Sequence, residues 1–174
     1  MTFRLTSVGL WLGLLAVAFF AAPPGDPETL PLVTKMMTGQ LDGVNLSLFA
    51  LFNLMGVWPM LLASLLVDDP RGKWPFVLGS FALGAFALLP WLMIRTWQPL
   101  PPNPSRLARV LRSRGLRAGL VLVGVALLGL FFFGGDFAAF TATWKTNQFA
   151  FVMSFDFLAC ASAAGLLLFA RARG

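Results

Sequence analysis

Residues 45–94 hold two apolar runs, NLSLFALFNLMGVWPMLLASLLV and PFVLGSFALGAFALLPWLMI, parted only by DDPRGKW. At about 1.5 Å per residue, each run as a helix matches a hydrocarbon core of about 30 Å. Backbone in lipid must satisfy its own hydrogen bonds, so runs this apolar and this close together predict a transmembrane helical hairpin. Asp69, Pro70 and Gly72 occupy the type I turn positions that suit them, and Pro75 falls in the first turn of the second helix. Pro59 and Pro90 are expected to bend their helices. Ser80 and Gly84 form a small-xxx-small spacing for close approach of another helix. Trp74, Trp91 and Trp97 are positioned to mark the membrane interfaces.

Three further apolar runs cover residues 5–22, 118–134 and 147–170. With 45–67 and 75–94 they predict one all-α integral-membrane domain over 1–174, a bundle of about five transmembrane helices. Composition agrees: 58% of residues are hydrophobic and 11% charged, against roughly 25% charged in a soluble domain. The net charge of +6 does not indicate nucleic acid, because the arginines flank the apolar runs, where they orient a membrane protein. Five passes put Lys35, Arg95, Arg106, Arg109, Arg112, Arg114, Arg117, Arg171 and Arg173 on one side. Arg4, Arg71, Lys73 and Lys145 fall on the other. The C-terminus is then cytoplasmic or stromal and the N-terminus outside or lumenal. Ala16-Val17-Ala18 also offers a signal-peptide cleavage site, but cleavage would force the arginine-rich third loop outward, so a retained first helix is preferred.

Ser105-Arg-Leu-Ala-Arg-Val-Leu-Arg-Ser-Arg-Gly115 predicts a short basic interfacial helix, capped by Ser105 and ended by Gly115. Its platform is Arg106, Arg109, Arg112 and Arg114, suited to anionic lipid or an acidic partner. Residues 23–44 read as a loop whose apolar part, 30–37, lies along the interface, folds in as a re-entrant segment or meets a neighbouring subunit. Gly119, Gly124 and Gly129 spiral round the fourth helix and imply close packing on several neighbours. Residues 136–146 read as a short outer loop.

Asp156 is the one ionisable side chain well inside a predicted span, about 14 Å past Asn147 along a helix. A charge at that depth needs a partner, a proton or a wet interior. Ala159, Cys160 and Ala163 share its face, which implies helix packing. Asn53 is its expected partner, with Ser154, Ser64 and Ser80 as others. Three roles remain open for the pair: locking the bundle, contacting a cofactor or second subunit, and relaying an ion or proton. The chain lacks histidine and has one cysteine, so His-ligated haem, Cys-based zinc and an internal disulfide are excluded. No metal site and no catalytic set is legible. The 18 phenylalanines suit lipid or packing, and equally chlorophyll or carotenoid.

Two stretches, FNLMGVWPMLLASLLVDDPRGKWPFVLGSFALGAFALLPW at 52–91 and WKTNQFAFVMSFDFLACASAAGLLLFARARG at 144–174, resemble a family of small polytopic membrane proteins of cyanobacteria and plastids. The resemblance implies a thylakoid or cytoplasmic membrane and carries no chemistry onto Asp156 or Asn53. The sequence reading is thus a non-enzymatic accessory protein, an assembly factor or peripheral subunit of a photosynthetic membrane complex. The alternative is a small carrier or channel using Asp156 and Asn53.

Overall fold

The computed structural model describes residues 2–67, 73–94 and 106–172, apart from the side chains of Thr2, Leu107 and 170–172. The expected turn at 69–72, the connector at 98–104, Trp97 and the Ser105 cap lie outside them. Every regular element among the described residues is helical: α1 (Thr2–Ala16), α2 (Thr29–Thr38), α3 (Leu46–Leu66), α4 (Trp74–Leu83), α5 (Ala85–Ile94), α6 (Arg106–Leu111), α7 (Arg114–Gly129), α8 (Phe137–Thr146) and α9 (Gln148–Ala172). Single π-helical turns, Val17–Ala21 and Leu130–Gly134, extend α1 and α7. Four helices are long and apolar enough to cross a membrane: Phe3–Ala21, Leu46–Leu66, Arg114–Gly134 and Gln148–Phe169.

The run at 75–94 is not a fifth such rod. It breaks at Gly84, whose φ of 53° and ψ of −129° suit glycine alone. There the chain reverses. Phe76 and Trp91 pack against each other, tilted by 32°, with ring centroids 5.6 Å apart, whereas fifteen residues of straight helix would part them by about 22 Å. A Cβ on Gly79 would likewise lie 3.4 Å from that of Ala87. The pair α4–α5 is therefore an antiparallel helical hairpin with Gly84 at its tip. Ser80 and Gly84 mark that reversal rather than a seam for a passing helix, and Trp91 is buried in the core rather than placed at an interface. Pro90 does its work inside α5. It has no N–H to give to the Phe86 carbonyl four residues back, and the Trp11 indole on α1 donates there instead, at 3.1 Å.

Four long-range hydrogen bonds settle which helix ends lie together. Asn45 Nδ2 donates to the Asp136 carbonyl at 2.7 Å, and Asn147 Nδ2 donates to Asp26 Oδ2 at 3.2 Å and Thr29 Oγ1 at 3.1 Å. The end of α1, the starts of α3 and α9 and the end of α7 thus share one end of the bundle. At the other, an Arg117 guanidinium nitrogen on α7 donates to the Ser64 carbonyl of α3 at 3.1 Å. Five alternating passes would have put each of these pairs on opposite faces. The hairpin removes the conflict, because it returns the chain to the end that α3 had reached.

Local sequence explains the shared end. Asn45, Asp136 and Asn147 each accept from backbone amides of the helix that follows, α3, α8 and α9, as helix-capping side chains do. Residues 136–146, expected as a loop, form α8, whose first amides Asp136 caps. Residues 29–38 form α2, ended by Gly39 at a φ of 71°. At the opposite end Ser113 accepts from the Leu116 amide at 3.2 Å, so α7 begins at Arg114 and Gly115 lies inside it. The basic segment is consequently split, with Arg106 and Arg109 on α6 and Arg114 in the first turn of α7.

The core near the arginine-rich end joins Leu62 and Leu66 of α3, Leu88, Leu89 and Leu92 of α5, and Ala163 and Leu167 of α9. The small face of Ala159, Cys160 and Ala163 is buried as expected, letting α1 and α5 approach α9. In α7 the glycine expectation fails. A Cβ at Gly119, Gly124 or Gly129 would meet nothing within 4 Å, because α7 packs along one side only.

Candidate functional site

Since α4 and α5 reverse at Gly84, the tip presents two opposed helix ends at the depth of Asp156. The first amides of α5 lack helical acceptors and the last carbonyls of α4 lack helical donors. Ala85 N–H donates to Asp156 Oδ1 at 2.7 Å, and the Phe86 amide also faces this carboxylate. A carboxylate at a helix N-terminus is favoured by hydrogen bonding and by the helix dipole. Asp156, 5% exposed, is thus the cap of a helix that starts 71 residues earlier in the chain. The fit leaves no room for a side chain at the tip, since a Cβ on Gly84 would overlap the Asp156 carboxylate and the Met55 methyl.

The hydrogen bond expected between Asp156 and Asn53 is not the one that forms. Asn53 Nδ2 donates to the Phe49 carbonyl on its own helix at 2.9 Å. Ser64, Ser80 and Ser154 also bond within their own helices, to Leu61, Val77 and Ala150. What brings Asp156 and Asn53 together is a cavity of about 350 Å³ between α3, the hairpin tip and α9. Phe52, Met55, Phe86, Phe149 and Met153 supply its apolar walls, and Ser80, Gly84, Asn53 and Asp156 its polar patch. Phe81 and Leu83, both more than half exposed, leave one wall open sideways. That volume falls within the range of small-molecule sites.

A second cavity, of about 590 Å³, shares Phe149 and Val152 with the first and reaches Asp26, Thr29 and Gln148. The hairpin fills the bundle near its arginine-rich end, so the first cavity occupies the space above its tip. The second lies beside it, toward the end carrying Asp26, Glu28, Asp42 and Asp136.

The four arginines proposed as a basic platform are divided by the start of α7. Arg106, Arg109 and Arg114 are exposed and Arg112 half-buried, all at the end opposite Asp26 and Asp136. Lys73, also at that end, is buried. Its ammonium donates to the Val67 carbonyl and lies 5.5 Å from the Trp74 ring centre. Among the described residues no group of three or more His, Cys, Asp or Glu side chains is placed to hold a metal.

The sequence signalled Asp156, Asn53 and Ser80, read Gly84 only as a helix-packing position, and missed the Ala85 amide. The available sign was a glycine between two ten-residue apolar segments within reach of an unpaired carboxylate. No family model matches the chain, and no curated protein or solved structure matches it either.

Proposed function

We propose that this is a non-enzymatic integral-membrane protein that crosses the bilayer four times, with α4–α5 as a re-entrant hairpin, and acts as a small carrier or channel. The hairpin tip carries the reading. Irregular backbone at membrane depth persists only where protein buries it or where it lines a cavity. Broken helices whose ends converge on a cavity are the usual construction of solute sites in transporters. The chemistry at the tip is confined to binding groups, a carboxylate, an amide and a hydroxyl.

In this threading both termini share a face. Among the described residues, Arg4, Lys73, Arg106, Arg109, Arg112, Arg114, Arg117 and Arg171 lie at that end, and only Lys35 and Lys145 at the other. Eight cations against two favours the first face as cytoplasmic or stromal, with the end carrying Asp26 and Asp136 outside or lumenal. Single cysteines at 4, 35, 109 and 145 in a Cys160→Ser background test this. Four passes label 4 with 109 and 35 with 145, whereas five passes label 4 with 145 and 35 with 109. Transport itself is tested by solute flux in proteoliposomes. Asp156→Asn or Asn53→Leu protein that retains its helical spectrum but loses flux supports the carrier, and unchanged flux overturns it.

A second reading retains the accessory role, as an assembly factor or peripheral subunit of a membrane complex, photosynthetic if the phototroph resemblance holds. It is favoured by α1 and α7, which bury only 11% and 6% of their most apolar stretches. These faces suit lipid and a neighbouring subunit equally, and pigment has no residue assigned to it. A tagged copy that migrates alone on native gels, while the photosystems accumulate normally without it, sinks this role.

A further inference from the structure

We infer that the cavity at the hairpin tip is a binding site for an amphiphilic ammonium, a cation that carries its own apolar chain. Acceptors outnumber free donors among the polar groups that line it. Asn53 uses one of its two Nδ2 hydrogens on the Phe49 carbonyl, and its Oδ1 accepts from no donor among the described residues. The Ser80 hydroxyl gives its hydrogen to the Val77 carbonyl at 2.6 Å, leaving oxygen lone pairs. The Phe81 carbonyl has lost its helical donor, because the Ala85 amide has turned to Asp156. The Asp156 carboxyl has no lysine or arginine paired with it among the described residues, so a cation placed beside it would hold it ionised. A ligand that completes this set brings hydrogen-bond donors and positive charge.

The apolar remainder fixes the rest of the ligand. At about 350 Å³ the space far exceeds a bare ion, and its walls are largely phenylalanine and methionine. Aromatic faces also attract an organic cation. The neighbouring surface agrees in sign: Asp26 lines the adjoining cavity, at an end with four carboxylates, Asp26, Glu28, Asp42 and Asp136, against Lys35 and Lys145. A long-chain anion would meet repulsion from that end and unpaired acceptors at the tip.

The inference deepens the carrier reading by naming its ligand class, and binding is measured without flux so that the two can fail separately. The full chain in zwitterionic nanodiscs is titrated with decylamine, decanol and decanoate, against empty nanodiscs, following thermal melting. Decylamine is expected to bind on the order of tenfold more tightly than decanol, the ratio that one charge-assisted hydrogen bond supplies. Decanoate is expected to bind most weakly. Asn53→Leu should remove the preference for the amine. Gly56→Leu, at a cavity-lining position where a Cβ meets nothing within 4 Å, should block all three ligands while leaving the unliganded melt in place. Equal binding of the three tails, or an amine preference that survives both variants, overturns the inference. Amine binding without amine flux keeps the site and removes the carrier.

Discussion

The hairpin α4–α5 and the long helix α7 are both apolar and glycine-bearing, yet they end differently. Residues 74–94 fold back on themselves and bury Leu88, Leu89 and Leu92 completely. Residues 114–134, with the highest mean hydropathy of the four long helices at 2.3, stay straight and bury 6% of that stretch. Hydrophobicity therefore does not decide which segment enters the core. The difference lies in what each glycine meets. Gly84 turns to positive φ because Asp156 stands ready to take the freed Ala85 amide, and without that acceptor the break would leave unpaired backbone in an apolar setting. Gly119, Gly124 and Gly129 meet no such partner, so continuing the helix is the lower-energy course.

Replacing Gly84 by Ala should break this contrast most severely. The added methyl overlaps the Asp156 carboxylate and the residue must hold a φ that only glycine tolerates, so a loss of about 3 kcal/mol or more is expected. It would be read as lost monodisperse protein and a collapsed thermal melt. A Gly84→Ala protein as stable as the wild type would show that the hairpin does not form.

Asp156→Leu should come next, at about 1–3 kcal/mol for a buried amide left without its acceptor. Asp156→Asn retains an acceptor oxygen and should cost clearly less in the same unfolding measurement. Equal losses would mean that charge rather than hydrogen bonding holds the tip.

Trp11→Phe removes the donor that replaces Pro90 on the Phe86 carbonyl, with an expected loss of about 1 kcal/mol. Trp11→Phe with Pro90→Ala should recover part of it, because alanine restores the helical N–H. At the small end, Gly124→Ala on α7 should leave stability within about 1 kcal/mol and shift it upward, since the site is open and glycine weakens a helix. A large loss there would instead reveal a partner covering α7.

Much of the site was legible before any coordinates, though not its bonding. Asp156 announced itself as a carboxylate too deep to stand alone, and Asn53 as a polar group at comparable depth. Their mutual hydrogen bond was the simplest pairing along two straight helices, and it gave way because a better acceptor problem existed elsewhere. A helix start at Ala85 has amides to satisfy, whereas Asn53 satisfies itself on Phe49. The helices α2 and α8 were hidden for another reason. Each has ten residues, too short to register as a span, and their polar positions read equally well as loop until Asp136 and Gly39 are seen as a cap and a stop.

By itself the sequence determined the helical class and the four long apolar helices. Runs of about twenty apolar residues must form helices wherever water is excluded, and arginines gathered beside them must stay at a polar surface. Only the tertiary structure decided the path. A segment apolar on every side makes the same helix whether it crosses or turns back, so local pattern cannot separate the two. The choice rested on Asp156, a side chain 71 residues distant from Ala85, because it takes up the amide that the reversal frees.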